Sequence, residues 1–435
     1  MRSKDTKTTI FMYLPYECSA VEEYLDEMAE KGWLLQSIKG VFFKFKKTEI
    51  EKIKYSVDVL NRVSVFDHKD SDVALEYREY CEAAGWTYVC EHVKTQIFYT
   101  HGDKEAISIH TDEEEKFKLV FKASLYNMGI QFFLTLLLSF NLYIQIFVGD
   151  GGFVLASNMG ILSIVTISSL IIINSGGFIS FLIWVIKVRA KLKKDKGMNY
   201  SNYKQVRIKS ILRNSYGLII LFIFLKLLIF DTTGFNISFL IIITICIPII
   251  IMICVRKFID KKKHSKNINM GITIGSVVVS IYLVLILGIG SILFSSETLQ
   301  NDVTTHKFNL TTKDFGVVGN NDESPYIKFD KSIIAQRVDY SGGNDSNYLS
   351  YTMLQSDYSI IIKFYENRLL SKFNRSGANL LEERTKLPNN IVVYSDSVKR
   401  TFVVVSQDKV VEIRKDFTNL SEEEFLKKIY EKLFY

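Results

Sequence analysis

Five cysteines in 435 residues make no framework: Cys18, Cys81 and Cys90 come early, Cys246 and Cys254 lie in an apolar stretch, and none occurs after that. No CxxC pair and no Cys/His ligand spacing occurs, which argues against a disulfide scaffold and a zinc module. A Ser/His/Asp set, a nucleophile elbow, a paired-acid motif and a phosphate-binding glycine loop are also missing, and His306 is the only histidine in the last third. These absences predict no enzyme, no cofactor and no metal. The one apolar run near the start, Ile10–Leu14, is shorter than the roughly 7–15 residues of a signal-peptide core. A membrane helix is therefore expected to direct insertion itself.

What the chain does have is a long apolar belt from about Tyr126 to Leu293, broken by four short polar interruptions. A bilayer core of about 30 Å needs roughly 20 apolar residues of helix. Five segments qualify: Tyr126–Val148, Gly160–Ile186, Ser215–Phe230, Ile237–Val255 and Gly271–Leu293. Backbone amides in hydrocarbon must bond within their own segment, so helices are expected. Asn174-Ser175-Gly176-Gly177 inside the second invites tilt or a local break. Lys187–Arg213 holds ten basic residues and Arg256–Lys266 six, whereas Gly149–Met159 and Asp231–Asn236 hold none. Basic residues stay on the cytoplasmic side, so five crossings with a cytosolic N-terminus and an extracytoplasmic C-terminus are expected. The net charge of +7 then reflects membrane topology, and the chain is not expected to bind nucleic acid. The bilayer is the expected partner. The basic loop Lys187–Arg213 could also bind anionic lipid, at on the order of 1 kcal/mol per charge.

The fold class expected is a multi-pass α-helical membrane protein of the cell membrane with an α+β domain at each end. Residues 1–122 form the cytosolic domain, 126–294 the membrane helices, 295–325 a stalk and 326–435 the outer domain. Within the first, Glu23–Trp33 recurs as Glu76–Trp86. Each copy reads as an amphipathic helix stopped by a left-handed glycine, Gly32 or Gly85, with Trp33 or Trp86 opening the next element. Alternation at Leu35, Val41, Phe43 and Phe45, and at Tyr88, Thr95, Ile97 and Tyr99, predicts a hairpin after each, and Ile53, Tyr55, Val57 and Val59 another strand. Both tryptophans read as core anchors, with ligand stacking as the alternative. Cys90-Glu91-His92 reads as structural, and His68, His101 and His110 as solvated.

The pattern Ala-Glu-Lys-Gly-Trp-Leu-Leu, Phe-Phe-Lys-Phe, Lys-Tyr-Ser-Val-Asp and Ala-Gly-Trp-Thr-Tyr-Val resembles a domain of unknown function, over about residues 9–112. That domain occurs in Gram-positive membrane proteins, often beside PadR-type transcriptional regulators. The resemblance implies a cytosolic domain with a regulatory association and carries no catalytic residue.

Within the belt the ionisable candidate is Lys226, near the end of the third segment, where its ammonium could snorkel to the headgroups. Gly271 and Gly275 fit close helix approach. After Ser295, strands are expected near 333–340, 348–354 and 391–394, a hairpin pairs 401–405 with 410–413, and Ile361–Phe373 recurs at helical spacing. Ser421 and Glu424 form a capping box for a last helix. A sensing or regulatory membrane protein with a cytosolic protein partner is the preferred expectation. Transport through a channel or carrier, resting on Lys226 and on Asn174, Gly176 and Gly177, is one alternative, and an immunity or envelope-protection factor another.

Overall fold

The computed structural model describes residues 5–49, 52–64, 66–68, 70–92, 94–102, 106–110, 112–149, 151–194, 202–230, 235–261, 264–298, 310–315, 325–344, 347–417 and 420–435. For 213, 214, 224, 227–230, 235–245, 260, 287–298, 344 and 417 it describes the backbone alone. His306, the connection at Asp231 and most of the expected stalk lie outside the described residues. The chain forms two bodies: Met1–Leu137 with Leu170–Ile223 and Phe235–Gly290, and Leu138–Ser169 with Phe224–Gly234 and Ser291–Tyr435.

The first body opens with β1 (Thr6–Ile10), α1 (Cys18–Glu30), β2 (Trp33–Lys39) and β3 (Phe42–Lys47), then repeats the order with β4 (Ile53–Val59), α2 (Asp72–Ala83), β5 (Thr87–His92) and β6 (Thr95–His101). Each half closes a three-stranded antiparallel sheet with its third strand in the middle, β1-β3-β2 and β4-β6-β5. The duplication extends to a matching irregularity. β2 slips register at Gln36 and β5 at Val89, each three residues after the tryptophan. Gly32 and Gly85 stop α1 and α2 at φ 77° and 93°, conformations that a side chain resists, and Gly40 turns β2 into β3 at φ 57°.

Five long helices come next, covering the five expected segments: α3 (Glu113–Tyr143, continued by a π turn to Val148), then, after the short α4 (Gly151–Leu155), α5 (Asn158–Leu192), α6 (Tyr203–Phe230), α7 (Phe235–Lys261) and α8 (Lys266–Thr298). Among the described residues three stretches are long and apolar enough to cross a membrane: Glu113–Val148, Asn158–Leu192 and Lys266–Ile286. The break expected at Asn174–Gly177 does not occur, since α5 runs through it without interruption. Its i→i−4 ladder stays intact because none of the four residues lacks a backbone N–H.

The second body is built on an antiparallel seven-stranded sheet, with β7 (Tyr326–Lys331), β8 (Gln336–Asn344), β9 (Asn347–Gln355), β10 (Leu381–Glu383), β11 (Val392–Ser395), β12 (Thr401–Val405) and β13 (Lys409–Phe417) in the order β10-β11-β12-β13-β9-β8-β7. Side chains alternate between two helices. Val403, Val405 and Val410 share a core with Ile362, Tyr365 and Leu369 of α9 (Ser359–Arg375), whereas Phe402, Val404, Val411 and Ile413 share one with Phe425 and Ile429 of α10 (Glu422–Ile429). A sheet covered on both faces explains the unbroken apolar run Phe402–Val405. Ser421 Oγ accepts from Glu424 N, completing the expected cap. Leu310 and Phe315, expected in the stalk, belong to this core, and Asp314 pairs with Lys432 at 2.8 Å. That segment is therefore part of the domain. Ser332 Oγ donates to Leu155 O at 2.6 Å and Ile333 N to Asn158 Oδ1 at 3.0 Å, which ties the β7–β8 turn to the α4–α5 turn.

Candidate functional site

The duplication exposes an asymmetry inside the first body. In the first half Leu25, Ile38 and Phe43 are buried apolar side chains. Fifty-three residues on, the same positions hold Arg78, Glu91 and Gln96. The guanidinium of Arg78, 8% exposed as a residue, donates to Gln96 Oε1 at 3.2 Å, Asp70 Oδ1 at 3.1 Å and Glu91 Oε2 at 2.9 Å, and it covers the Tyr88 ring at 4.0 Å. Gln96 Nε2 closes the network on Glu91 at 2.9 Å. A polar network inside a unit whose sister copy is apolar costs desolvation, and it holds only because its members find partners.

One contact is repeated in altered form. Tyr24 hydroxyl pairs with Thr9 at 2.7 Å in the first half, and Tyr77 hydroxyl donates to Asp58 in the second. Thr9 lies opposite Phe43 and Asp58 opposite Gln96, so the two partners of the tyrosines occupy equivalent sites. The exchange of a hydroxyl for a carboxylate creates a buried charge, and His110 answers it with Nε2 2.7 Å from Asp58 Oδ1. Burial opposes the Asp58 charge, but the His110 and Tyr77 hydrogen bonds outweigh it and hold the carboxyl below its ordinary range. The same bond to Asp58 raises His110 against the lowering effect of its own burial.

His110 is thus not solvated, contrary to the sequence expectation. His68 is not either: its side chain is 10% exposed, and Nδ1 accepts from Asp70 N at 3.1 Å. Nothing in the sequence spacing links positions 58 and 110; the fold brings them together.

Four acidic residues of α1, Glu22, Glu23, Asp26 and Glu27, each find a backbone partner or a cation. Glu22 Oε1 accepts from Val57 N at 2.9 Å and Asp26 Oδ1 from Tyr55 N at 2.7 Å, so carboxylates one helical turn apart satisfy alternate amides on the open edge of β4. Burial raises both carboxyls, Asp26 to about 6. Lys116 of α3 lies 3.9 Å from Glu22. Glu23 Oε2 accepts from Tyr203 N at 2.9 Å, satisfying an amide at the start of α6.

The apolar core runs on through this junction. Tyr16 packs against both Phe181 and Trp184 of α5 at centroid distances of 5.7 and 5.5 Å, and Phe117 of α3 meets Trp184 at 5.5 Å. Asn269 of α8 donates to Phe66 O at 2.9 Å, and Asn61 to Leu119 O of α3 at 2.6 Å. Sequence reading overlooked Trp184. An indole near the basic end of an apolar helix was the available signal.

Of the residues singled out from the sequence, Trp86 is buried, and Nε1 donates to Ile107 O at 2.7 Å, holding the segment that carries His110. Trp33 is only half-buried, with Lys7 Nζ 5.4 Å from its ring centre. Lys226 is exposed on α6 one turn before Phe230. Asn174 is half-buried, Gly176 faces open space, and Gly177 lies against Gln131 of α3. Among the described residues nothing lies within 4 Å of a Cβ placed at Gly271 or Gly275, so the close approach expected there is not seen among them. Burial pushes the Cys81 thiol up to about 11 and Cys90 to about 12, and Cys18 also rises, so these three thiols are poor nucleophiles at neutral pH. Among the described residues no group of three or more His, Cys, Asp or Glu is placed to hold a metal.

A family described as "Protein of unknown function (DUF2812)" matches residues 18–134. The match runs past the two small sheets into α3, whose Phe117, Val120, Ala123 and Met128 belong to the same core as α1. No curated protein and no solved structure is significantly similar to the chain.

Proposed function

We propose that the chain is a multi-pass cell-membrane protein of sensing or regulatory type, crossing the bilayer five times, with residues 1–122 cytosolic and the C-terminal sheet domain outside. The observation that carries this reading is the continuity of the first core. Tyr16, Phe117, Phe181 and Trp184 pack the N-terminal domain onto α3 and α5, so a displacement of those helices would repack the domain. The saturated network around Arg78 and the raised thiols favour a role in holding and moving elements over turning over a substrate. A cytosolic protein, of the regulator class that the sequence resemblance suggests, is the proposed partner. Transport loses one of its supports, because α5 is not the discontinuous helix that a midplane substrate site is commonly built on.

Coupling can be read in the whole protein in vesicles from the alkylation rate of buried Cys18, with the other four cysteines changed to Ser. Loosening the outer domain with Phe402→Ala, which empties a fully buried site, is expected to change that rate severalfold. An unchanged rate, with the outer domain shown to be loosened by its own hydrogen exchange, removes the proposed link.

A further inference from the structure

The geometry points to an acyl-chain site in the second body, where the last turn of α3, the α4 segment, the start of α5 and the first turn of α9 border a half-open cleft of about 290 Å³. Gln145, Ile146, Leu155, Ile164, Ile361 and Phe364 line it. This volume is at the small end of the roughly 300–1,000 Å³ of ligand pockets, suited to part of a chain rather than to a whole lipid.

The wall decides the chemistry of the occupant. Among the described residues Gln145 is the one polar side chain on it, and both its polar ends are already engaged: Nε2 donates to Asn141 Oδ1 at 2.8 Å, and Oε1 accepts from Ser163 Oγ at 3.2 Å. Among the described residues no group on the wall calls for a polar ligand, and the lining offers water few partners. An apolar occupant suits it. Its source is set by the elements that the cavity adjoins, since Gln145, Ile146 and Ile164 belong to stretches long and apolar enough to cross a membrane, and each lies near the end of its stretch. The surrounding surface continues the same chemistry. Val148 is 63% exposed, Ile360 76%, and Ile333, on the turn tied to Asn158, 79%. Exposed apolar side chains on these elements suit immersion at the boundary between headgroups and hydrocarbon. The α3 wall is a π turn, Ile144–Val148, a departure from regular helix often found at functional sites.

The site rests on the reading that α3 and α5 cross a membrane, and the test separates the two. The whole protein is placed in vesicles of phosphatidylglycerol and phosphatidylethanolamine that contain a phospholipid with a photoactivatable diazirine in its acyl chain. Adducts are mapped by mass spectrometry after illumination. Expected are adducts on the α9 peptide containing Ile361 and Phe364, reduced severalfold by Ile164→Trp and by Ile361→Trp, which fill the cavity from opposite walls. Adducts on exposed α3 and α5 side chains such as Phe133 and Ile172 with none on α9 would overturn the site and leave the membrane reading standing. No adducts anywhere in the chain would overturn both. Should neither variant reach the vesicles, the unaltered protein's α9 adducts decide alone.

Discussion

His110 and Asp26 respond to pH through opposite roles of charge. The His110 value is raised in the fold, so its contribution is complete below about 6.5, the unfolded value, and fades as pH rises through the folded one. Asp58 is depressed, so its contribution is present above about 3.9 and fades as pH falls through its folded value. The bond is at full strength between these limits, with Glu115 and Lys116 as the other charged groups facing His110. His110→Ala is expected to cost about 2 kcal/mol at pH 6, less than the roughly 3–5 kcal/mol of a fully buried pair that loses one partner, because His110 keeps some solvent. The deficit should shrink at alkaline pH. Thermal unfolding in detergent, followed with a thiol-reactive dye that reads exposure of Cys18 and Cys81, measures both, and a pH-independent deficit would show that the charge on His110 adds nothing. Asp26 behaves in the reverse sense to Asp58. Its folded value of about 6 lies above the unfolded value of about 3.9, so the fold loses ground as pH rises between them. Asp26→Asn keeps an acceptor for Tyr55 N without the buried charge and should match or exceed the unaltered protein at pH 8. Asp26→Ala strands that amide and should lose about 1–3 kcal/mol at every pH; equal behaviour of the two variants would remove the edge-capping role.

At the scale of elements, the two helix stops bear the clearest sequence signature. Gly32 and Gly85 sit at positive φ as the Gly-Trp repeat implied, and each change to Ala is expected to cost about 1–2 kcal/mol. Gly85→Ala should be the more damaging, since its φ of 93° lies farther than the 77° of Gly32 from the left-handed well near about +57°, whereas the reverse order in thermal midpoints would place the strain elsewhere. Strands and helices were legible because alternation and helical spacing are local: β4, β9, β12 and α9 lie where the pattern put them. The partners of those elements were not. Glu22 and Asp26 read as an ordinary solvated helix face until β4 is placed against α1, and the Arg78 network reads as surface charge until the duplication is overlaid position by position. Trp33 and Trp86, identical in the repeat, part ways because the backbone of the 106–110 segment meets only the second. The expected break in α5 failed for a local reason, since Asn, Ser and Gly weaken a helix but only a missing N–H or a clash must interrupt it.

For the whole molecule, the apolar belt was the most readable feature, and sidedness is the property on which the proposed function stands. Basic residues gather in the α5–α6 and α7–α8 connections and are absent from the intervening ones, which argues for termini in different compartments. The sheet domain lacks cysteine, and the native thiols Cys18 and Cys81 are buried, so a charged, membrane-impermeant maleimide should find little to modify on the unaltered protein in intact cells. Cys246 and Cys254 lie on α7 among apolar residues, where a charged reagent partitions poorly. Tyr80 on α2 is 65% exposed and Val398, in the β11–β12 turn, 66%, so either tolerates a reporter cysteine. Val398→Cys is expected to be labelled in intact cells and Tyr80→Cys only after lysis. Labelling of both from outside, or of neither until lysis, would put the two domains in one compartment, and a protein so arranged could not carry the state of one membrane face to the other.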